Sequence, residues 1–212
     1  MIVRAEFVTS AVSAADLPRD RAPEIALLGR SNVGKSSIIN ALAGRVVART
    51  SATPGKTRLI NVYRFAVQES RRERTFYLVD LPGYGYARGA GSEASFQALA
   101  EAYAAARWDS SRQGPSTTAA LLLVDARHPG LENDCAAYDW LVTLGRPAAV
   151  VATKLDKLTR AERQRASRKL DTAFNGPVLP VSAASGEGLK DLWQLIDRLL
   201  SKHPPRLNPR QA

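Results

Sequence analysis

The sequence predicts an α/β fold: a mostly parallel six-stranded sheet with one antiparallel edge strand and helices on both faces. Three observations predict it. Short apolar segments alternate with helical segments of about 10–16 residues, which is the pattern of parallel strands joined by crossover helices. The polar stretch 68–74 joins two strand-like segments directly, which indicates a hairpin and hence the antiparallel edge strand. A glycine-rich loop separates the first strand from the first helix, at the edge where such sheets bind ligands.

The elements follow in order from the apolar runs and their breakers. The first strand is the run Ile25–Leu28 with its flanking residues, and the first helix begins at Lys35 after the glycine-rich loop. Residues 44–58 contain Gly and Pro and no long apolar run, so they are predicted to be a loop. The predicted strands cover 24–29, 59–67, 75–80, 119–125, 148–153 and 178–181, and the predicted helices cover 35–43, 92–107, 133–144, 159–174 and 188–200.

The domain organisation predicted from this order is simple. Residues 1–23 are interpreted as a lead-in that Pro18 and Pro23 interrupt, and residues 24–200 as one domain. Residues 201–212 contain three prolines and are predicted to form a mobile basic tail.

Composition narrows the class of protein. The 212 residues suffice for one compact core, and the single Cys135 excludes an internal disulfide framework, which fits a reducing, cytoplasmic location. No apolar run approaches ~18 residues, so we expect no membrane span, and the N-terminus lacks the apolar core of a secretory signal. The net charge of +10 favours nucleic acid or an RNA–protein particle as partner, the alternative being a basic surface without a dedicated partner.

Residues 29–36 match the phosphate-loop pattern G-x-x-x-x-G-K-S. In this pattern backbone N–H groups cradle phosphates, and Lys35 would reach the β- and γ-phosphate oxygens. The Ser36 hydroxyl is placed to bind Mg²⁺. The residues predicted to contact the nucleotide here are Gly29, Arg30, Ser31, Asn32, Val33, Gly34, Lys35, Ser36 and Ser37.

Three further motifs follow later strands. Asp80 begins Asp80-Leu81-Pro82-Gly83, where the carboxylate would hold Mg²⁺ through water and the Gly83 amide would sense a γ-phosphate. In Thr153-Lys154-Leu155-Asp156, the Asp156 carboxylate would accept hydrogen bonds from guanine N1 and N2, a donor pair that adenine lacks. In Ser182-Ala183-Ala184, the Ala183 amide would meet guanine O6. Together the four motifs predict a guanine-nucleotide site with Mg²⁺.

Across residues 24–200 the chain resembles the EngB/YsxC/YihA group of bacterial ribosome-biogenesis GTP-binding proteins, within the TrmE–Era–EngA–EngB–septin-like GTPases. The resemblance is carried by the strings at 29–37, 53–61, 80–87 and 153–157, of which Asp80-Leu-Pro-Gly-Tyr-Gly-Tyr-Ala87 is the most specific. It implies a small-GTPase-like phosphate-loop domain that helps to assemble the large ribosomal subunit. It also implies that Thr57 is a switch residue that binds Mg²⁺ with GTP, and adds Gly55, Lys56, Thr57, Arg58 and Leu59 to the nucleotide-contacting residues.

Catalysis is expected to be slow. Many GTPases carry a water-positioning Gln after the D-x-x-G motif, whereas this chain has Tyr84. The residue that activates water is unknown from the sequence, with Lys35 and Thr57 as candidates. Asn32 is a candidate K⁺ ligand, because related GTPases bind K⁺ beside the phosphates, and the alternative is that it only stabilises the loop.

Positive charge lies beside the expected switch. The segment 45–58 contains Arg45, Arg49, Lys56 and Arg58 and no acidic residue. We expect this positive charge to contact rRNA phosphates. We also expect the protein to be a monomer. The basic helix 159–174 is interpreted as a solvated face. Two alternatives stand beside the ribosomal role: a GTP/GDP-binding scaffold or sensor linked to cell division or septation, and an adenine-nucleotide kinase, which Asp156 disfavours.

Overall fold

A computed structural model describes residues 1–49, 59–69, 72–84, 92–108, 118–201 and 204–210. The strands are β1 (Ile2–Ala11), β2 (Glu24–Gly29), β3 (Ile60–Glu69), β4 (Arg72–Asp80), β5 (Thr118–Asp125), β6 (Ala148–Thr153) and β7 (Leu179–Pro180). The helices are α1 (Lys35–Ala43), α2 (Ser92–Arg107), α3 (Glu132–Leu144), α4 (Arg160–Ala173) and α5 (Leu189–Leu199). Among the described helices, none is long and apolar enough to cross a membrane.

All these strands belong to one sheet in the order β1-β3-β4-β2-β5-β6-β7. Strand β3 runs antiparallel to its two neighbours β1 and β4, whereas the pairs β4–β2, β2–β5, β5–β6 and β6–β7 are parallel. The predicted α/β fold class and the hairpin of β3 with β4 are therefore confirmed.

The predicted count of six strands is wrong, because residues 2–11 form a seventh. Strand β1 pairs with β3 from Ile2↔Gln68 to Ala11↔Ile60, so the edge of the sheet is β1 and not the hairpin strand. Only Ala5 and Ala11 of β1 are buried. The strand is held by backbone hydrogen bonds and is not a buried apolar run, the pattern from which the other strands are predicted.

The core lies on both faces of the sheet. Strands β2 and β5 are buried along their whole length, as expected for central parallel strands covered by helices. Helices α1 and α5 cover one face, where Ile38 and Ile196 are buried. Helices α2, α3 and α4 cover the other, where Tyr103, Tyr138 and Phe174 are buried. Packing of helices on both faces of the sheet fixes the positions of the strand ends that carry the predicted motifs.

Residues 204–210, within the predicted tail, make hydrogen bonds with β6, with α3 and with the chain after α4. The Pro205 carbonyl accepts a hydrogen bond from Ala148 N at 3.1 Å, and the Asn208 carbonyl accepts one from the Tyr138 hydroxyl at 2.7 Å. These bonds pair the beginning of β6 with the chain after α5, and they give hydrogen-bond acceptors to one backbone N–H and one side-chain hydroxyl.

Candidate nucleotide-binding site

The four predicted motifs meet at one edge of the sheet. They follow β2, β4, β6 and β7, which run parallel, so their carboxyl ends lie on the same side. The fifth predicted segment, which contains Gly55, Lys56, Thr57 and Arg58, lies outside the described residues. Leu59, the next residue along the chain, is half-buried.

The phosphate loop has the backbone that its glycines allow. Gly29 has φ 154° and Gly34 φ 116°, and α1 begins at Lys35 directly after Gly34. A methyl group at Gly29 would lie 2.6 Å from the Leu123 carbonyl oxygen, so strand β5 closes one side of the loop. Lys35 Nζ lies 3.4 Å from the Gly29 carbonyl across the loop. The N–H groups at the start of α1, which have no partner within the helix, and this ammonium make the concavity suited to an anion.

Val33, inside the loop, contributes to packing. Its side chain is buried, and its carbonyl accepts a 2.6 Å hydrogen bond from the Thr153 hydroxyl at the end of β6. The same hydroxyl lies 3.1 Å from the Val124 carbonyl of β5. Thr153, predicted as part of the base motif, therefore braces the phosphate loop against two strands.

Asp80 lies buried opposite Lys35. Burial raises the pKa of Asp80 to about 6, although the Lys35 charge opposes the rise, and burial likewise lowers the pKa of Lys35. The Asp80 Oδ1 atom has no hydrogen-bond partner among the described residues. A buried acceptor of this kind calls for a ligand. A carboxylate oxygen together with the partly exposed Ser36 hydroxyl is the hard-oxygen donor set that Mg²⁺ prefers, so these residues fit the ion.

The turn after β4 packs directly on the phosphate loop. Ser31 N donates to the Tyr84 carbonyl at 3.0 Å, and the Ser31 hydroxyl donates to the Gly83 carbonyl at 3.3 Å. A methyl group at Gly83 would lie 2.6 Å from Ser31 N, so only glycine permits this approach. Leu81 and Pro82 are buried and act in packing.

The Tyr84 side chain turns towards α3. Its hydroxyl donates to Asp134 Oδ1 at 2.9 Å, and Arg30 Nε lies 3.4 Å from the same oxygen. Burial, followed by the Asp134 charge, raises the pKa of the Tyr84 phenol. Arg30 and Tyr84, both at the phosphate edge, thus share one carboxylate on α3.

The base motif is tied to the phosphate loop through Lys154. This residue has φ 61°, and its ammonium donates to the Asn32 carbonyl at 2.6 Å and to Asp125 Oδ2 at 2.9 Å. Asn32 itself has φ 61° and an exposed side chain. The predicted phosphate and base residues are therefore in direct contact.

Asp156 and Ser182 also meet. The Ser182 hydroxyl donates to Asp156 Oδ1 at 2.7 Å, and this bond is the main cause that lowers the pKa of the Asp156 carboxyl. Ser182 is fully buried and accepts a further bond from Ser185 N at 3.1 Å. Ala183 is half-buried, Ala184 is exposed and Leu155 is buried. The geometry leaves an ionised, oriented carboxylate at the edge of the sheet.

The basic residues beside the expected switch and those on α4 have different surroundings. Arg45 donates to the Ala5 carbonyl of β1, whereas Arg49 is exposed. On α4, Arg163 pairs with Glu187 at 3.0 Å, while Arg165 and Arg168 are exposed. Ser37, predicted as a nucleotide contact, is also exposed.

Three polar residues at the site were missed by the sequence analysis. Asp125 ends β5 and holds Lys154, Asp134 holds Tyr84, and Asn40 holds the chain after α1. The Asn40 amide oxygen accepts from Val47 N and Ala48 N, both at 2.8 Å. A signal existed for Asp125 alone: like Asp80, it is a polar residue that ends an apolar strand.

Comparison with known proteins gives the family. Residues 24–154 match the sequence profile of a family described as 50S ribosome-binding GTPase. The probable GTP-binding protein EngB of Solibacter usitatus is 45% identical over 200 residues, spanning 93% of this chain and 97% of that protein. The protein of the same description from Pelotomaculum thermopropionicum is 41% identical over 203 residues, spanning 93% and 96%. Among solved structures, the FeoB G-domain from Methanococcus jannaschii is similar with a TM-score of 0.54 and 26% identity, over 83% of this chain and 96% of that one. The chain belongs to the EngB family of GTP-binding proteins, and its domain is a GTPase domain.

Proposed function

We propose that this protein is a Mg²⁺-dependent, slowly hydrolysing GTP switch that assists assembly of the large ribosomal subunit in the cytoplasm. The observation that carries the proposal is the contact between the two halves of the site, Lys154 Nζ on the Asn32 carbonyl at 2.6 Å. Through this contact the phosphate loop and the base motif with its Asp156 carboxylate lie together at one edge of the sheet, as binding of a guanine nucleotide requires. The family description, 50S ribosome-binding GTPase, supports the large subunit as the proposed partner of the switch.

Guanine selection rests on Asp156 in this proposal. Its carboxylate accepts from guanine N1 and N2, and the Ser182 bond fixes the orientation and keeps the group ionised. The Ala183 amide meets O6. The Lys154 stem lies against the base plane, because its ammonium is held at both Asn32 and Asp125.

At the phosphates, Lys35 and the N–H groups of the loop bind the β- and γ-phosphoryl oxygens. Ser36 and Thr57 would hold Mg²⁺ directly and Asp80 would hold it through water. When bound, the ion neutralises charge on the transferred phosphoryl group. The Asp80 Oδ1 atom has no hydrogen-bond partner among the described residues, which supports a role for Asp80 in Mg²⁺ binding.

Slow hydrolysis follows from Tyr84 in the proposal. The phenol is bonded to Asp134 and is not an amide, so it does not orient a water molecule as Gln does. Asn32 is proposed as a K⁺ ligand that supplies charge beside the phosphates. The test compares GTP turnover in K⁺ and in Na⁺ for the parent and Asn32→Gly, since glycine tolerates φ 61°. Faster turnover in K⁺ that the variant loses is expected, and equal turnover in both salts contradicts the role of Asn32.

Ribosome binding is tested by co-sedimentation with large subunits in a GTP analogue and in GDP, at several salt concentrations. We expect binding with the analogue that weakens steeply with salt, and a smaller salt slope, by about one, for Arg49→Ala. Arg168→Ala on α4 is the matched control and keeps the slope. Absence from large-subunit particles in both nucleotides contradicts the ribosomal role and favours the scaffold or septation alternative.

A further inference from the structure

Asp125 is a nearly buried carboxylate in contact with the base motif. It is 3% exposed, ends β5 and pairs in register with Thr153, the last residue of β6. The Asp125 Oδ2 atom accepts from Lys154 Nζ at 2.9 Å and from Arg127 Nη2 at 2.7 Å. Burial by itself would raise the pKa of Asp125, but the hydrogen bonds from Arg127 and Lys154 outweigh it and hold the pKa well below its usual range. The group is therefore a fixed negative charge.

Lys154 needs such a charge because its conformation is otherwise unfavourable. Its φ of 61° lies in the left-handed region, which is unfavourable for an L-residue because Cβ approaches the following carbonyl oxygen. A long flexible side chain also loses conformational entropy when it is held in one place. Two charge-assisted hydrogen bonds, to Asp125 and to the Asn32 carbonyl, offset these costs.

We infer that Asp125 is a positioning residue for nucleotide binding: it holds Lys154 across the base site before the nucleotide arrives. The ammonium is then already in place on the phosphate loop, and binding does not have to order it. This inference rests on the proposed guanine-nucleotide site. It adds a residue of β5, a strand to which none of the predicted motifs belongs.

Arg127 offers an internal control, because it is the second partner of Asp125. Its guanidinium is bonded through Nε and Nη2 at 3.0 and 2.7 Å, yet its side chain is 40% exposed. If Asp125 acts through Lys154, removal of the Arg127 charge leaves the Lys154 contact intact. If Asp125 acts only on the turn after β5, where Arg127 N donates to its Oδ1 at 3.0 Å, loss of the Asp125 charge weakens binding whether or not Lys154 is present.

The experiment is a double-mutant cycle read by binding of fluorescent mant-GDP. Asp125→Asn is expected to weaken binding about tenfold, the effect of losing one charged hydrogen bond. Lys154→Met weakens it as well, and the double variant binds like Lys154→Met within about twofold, because the two residues act through one contact. Arg127→Gln stays within about twofold of the parent. Additive losses, an unchanged Asp125→Asn, or an Arg127→Gln as weak as Asp125→Asn overturns the inference.

A second measurement uses the parent protein, so it does not depend on the folding of a variant. Amine labelling followed by mass spectrometry compares Lys154 with Lys169, which is exposed on α4. Without nucleotide, Lys154 is expected to react at least about tenfold more slowly than Lys169, because its ammonium is held in two charge-assisted bonds. Equal rates show that Lys154 is not held and overturn the inference. A parent protein that fails to bind mant-GDP while Lys154 stays protected contradicts the proposed function instead.

Discussion

The Tyr84 hydroxyl donates a 2.9 Å hydrogen bond to Asp134 Oδ1, which joins the turn after β4 to helix α3. Both residues are buried, and Asp134 Oδ2 has no hydrogen-bond partner among the described residues. The carboxylate therefore depends on Tyr84 and on the nearby Arg30 for its stabilisation. Burial raises the pKa of the Asp134 carboxyl, because removal from water disfavours its charged form.

Tyr84→Phe tests this dependence. The substitution keeps the ring and removes the donor, so the free energy of unfolding is expected to fall by about 1–3 kcal/mol, the cost of an unsatisfied buried acceptor. Urea unfolding measures it. Tyr77→Phe is the matched control, because the Tyr77 hydroxyl bonds to the exposed Asp20 at 2.8 Å and its loss should cost about 1 kcal/mol or less. Equal losses in the two variants would count against a special role for the buried pair.

Alkaline pH should weaken the fold through the phenols. Burial raises the pKa of Tyr63 and of Tyr77 to about 12 and also raises that of Tyr84, whereas an unfolded Tyr ionises near its ordinary value of about 10. The unfolded chain then binds fewer protons than the folded protein, so unfolding free energy falls as pH rises above about 10. Unfolding curves between pH 8 and 11 measure the slope. Tyr63→Phe should reduce it, and an unaltered slope would argue that this phenol ionises normally.

Asp156→Asn should change the choice of base. The amide nitrogen replaces an acceptor with a donor, so GDP affinity is expected to drop at least about tenfold. Xanthosine diphosphate, which presents a carbonyl oxygen where guanine presents its amino group, should bind the variant better than the parent. Competition against mant-GDP measures both. Asp191→Asn, an exposed carboxylate at the start of α5, is the control and should bind like the parent.

Deletion of residues 204–212 should destabilise the protein. It removes the acceptors of Ala148 N, the Tyr138 hydroxyl and Asn175 Nδ2, and we expect a loss of about 2–4 kcal/mol in unfolding free energy. Arg210→Ala keeps these three acceptors and removes the largely exposed pair with Asp139, so it should cost about 1 kcal/mol or less. A deletion variant as stable as the parent in urea would mean that these contacts contribute nothing to folding.

Much of the fold could be predicted from the sequence, because its strands are continuous apolar runs and its helices follow loop signals. Strand β2 and helix α1 have the predicted bounds. Strand β1 could not be predicted in this way, since its contacts are mostly backbone bonds and its side chains are largely exposed.

The candidate site likewise contains residues that could be predicted from the sequence and residues that could not. Motif residues such as Lys35 and Asp156 are recognisable because their chemistry has a fixed local spacing. Asp134 and Asn40 are not, since their partners lie at Tyr84 and at Val47 and depend on how separate elements pack. The roles of the motif residues themselves remain predictions for the experiments above.

Gly83 lies so close to Ser31 that a single methyl group at position 83 would clash with it. Alanine at position 83 forces the turn after β4 away from the phosphate loop, because the clash is with backbone and no rotamer relieves it. The Tyr84–Asp134 bond would still hold the turn to α3. Such a variant is expected to displace the turn whether or not nucleotide is bound, so partners that need the turn against the phosphate loop should bind it less well than the parent.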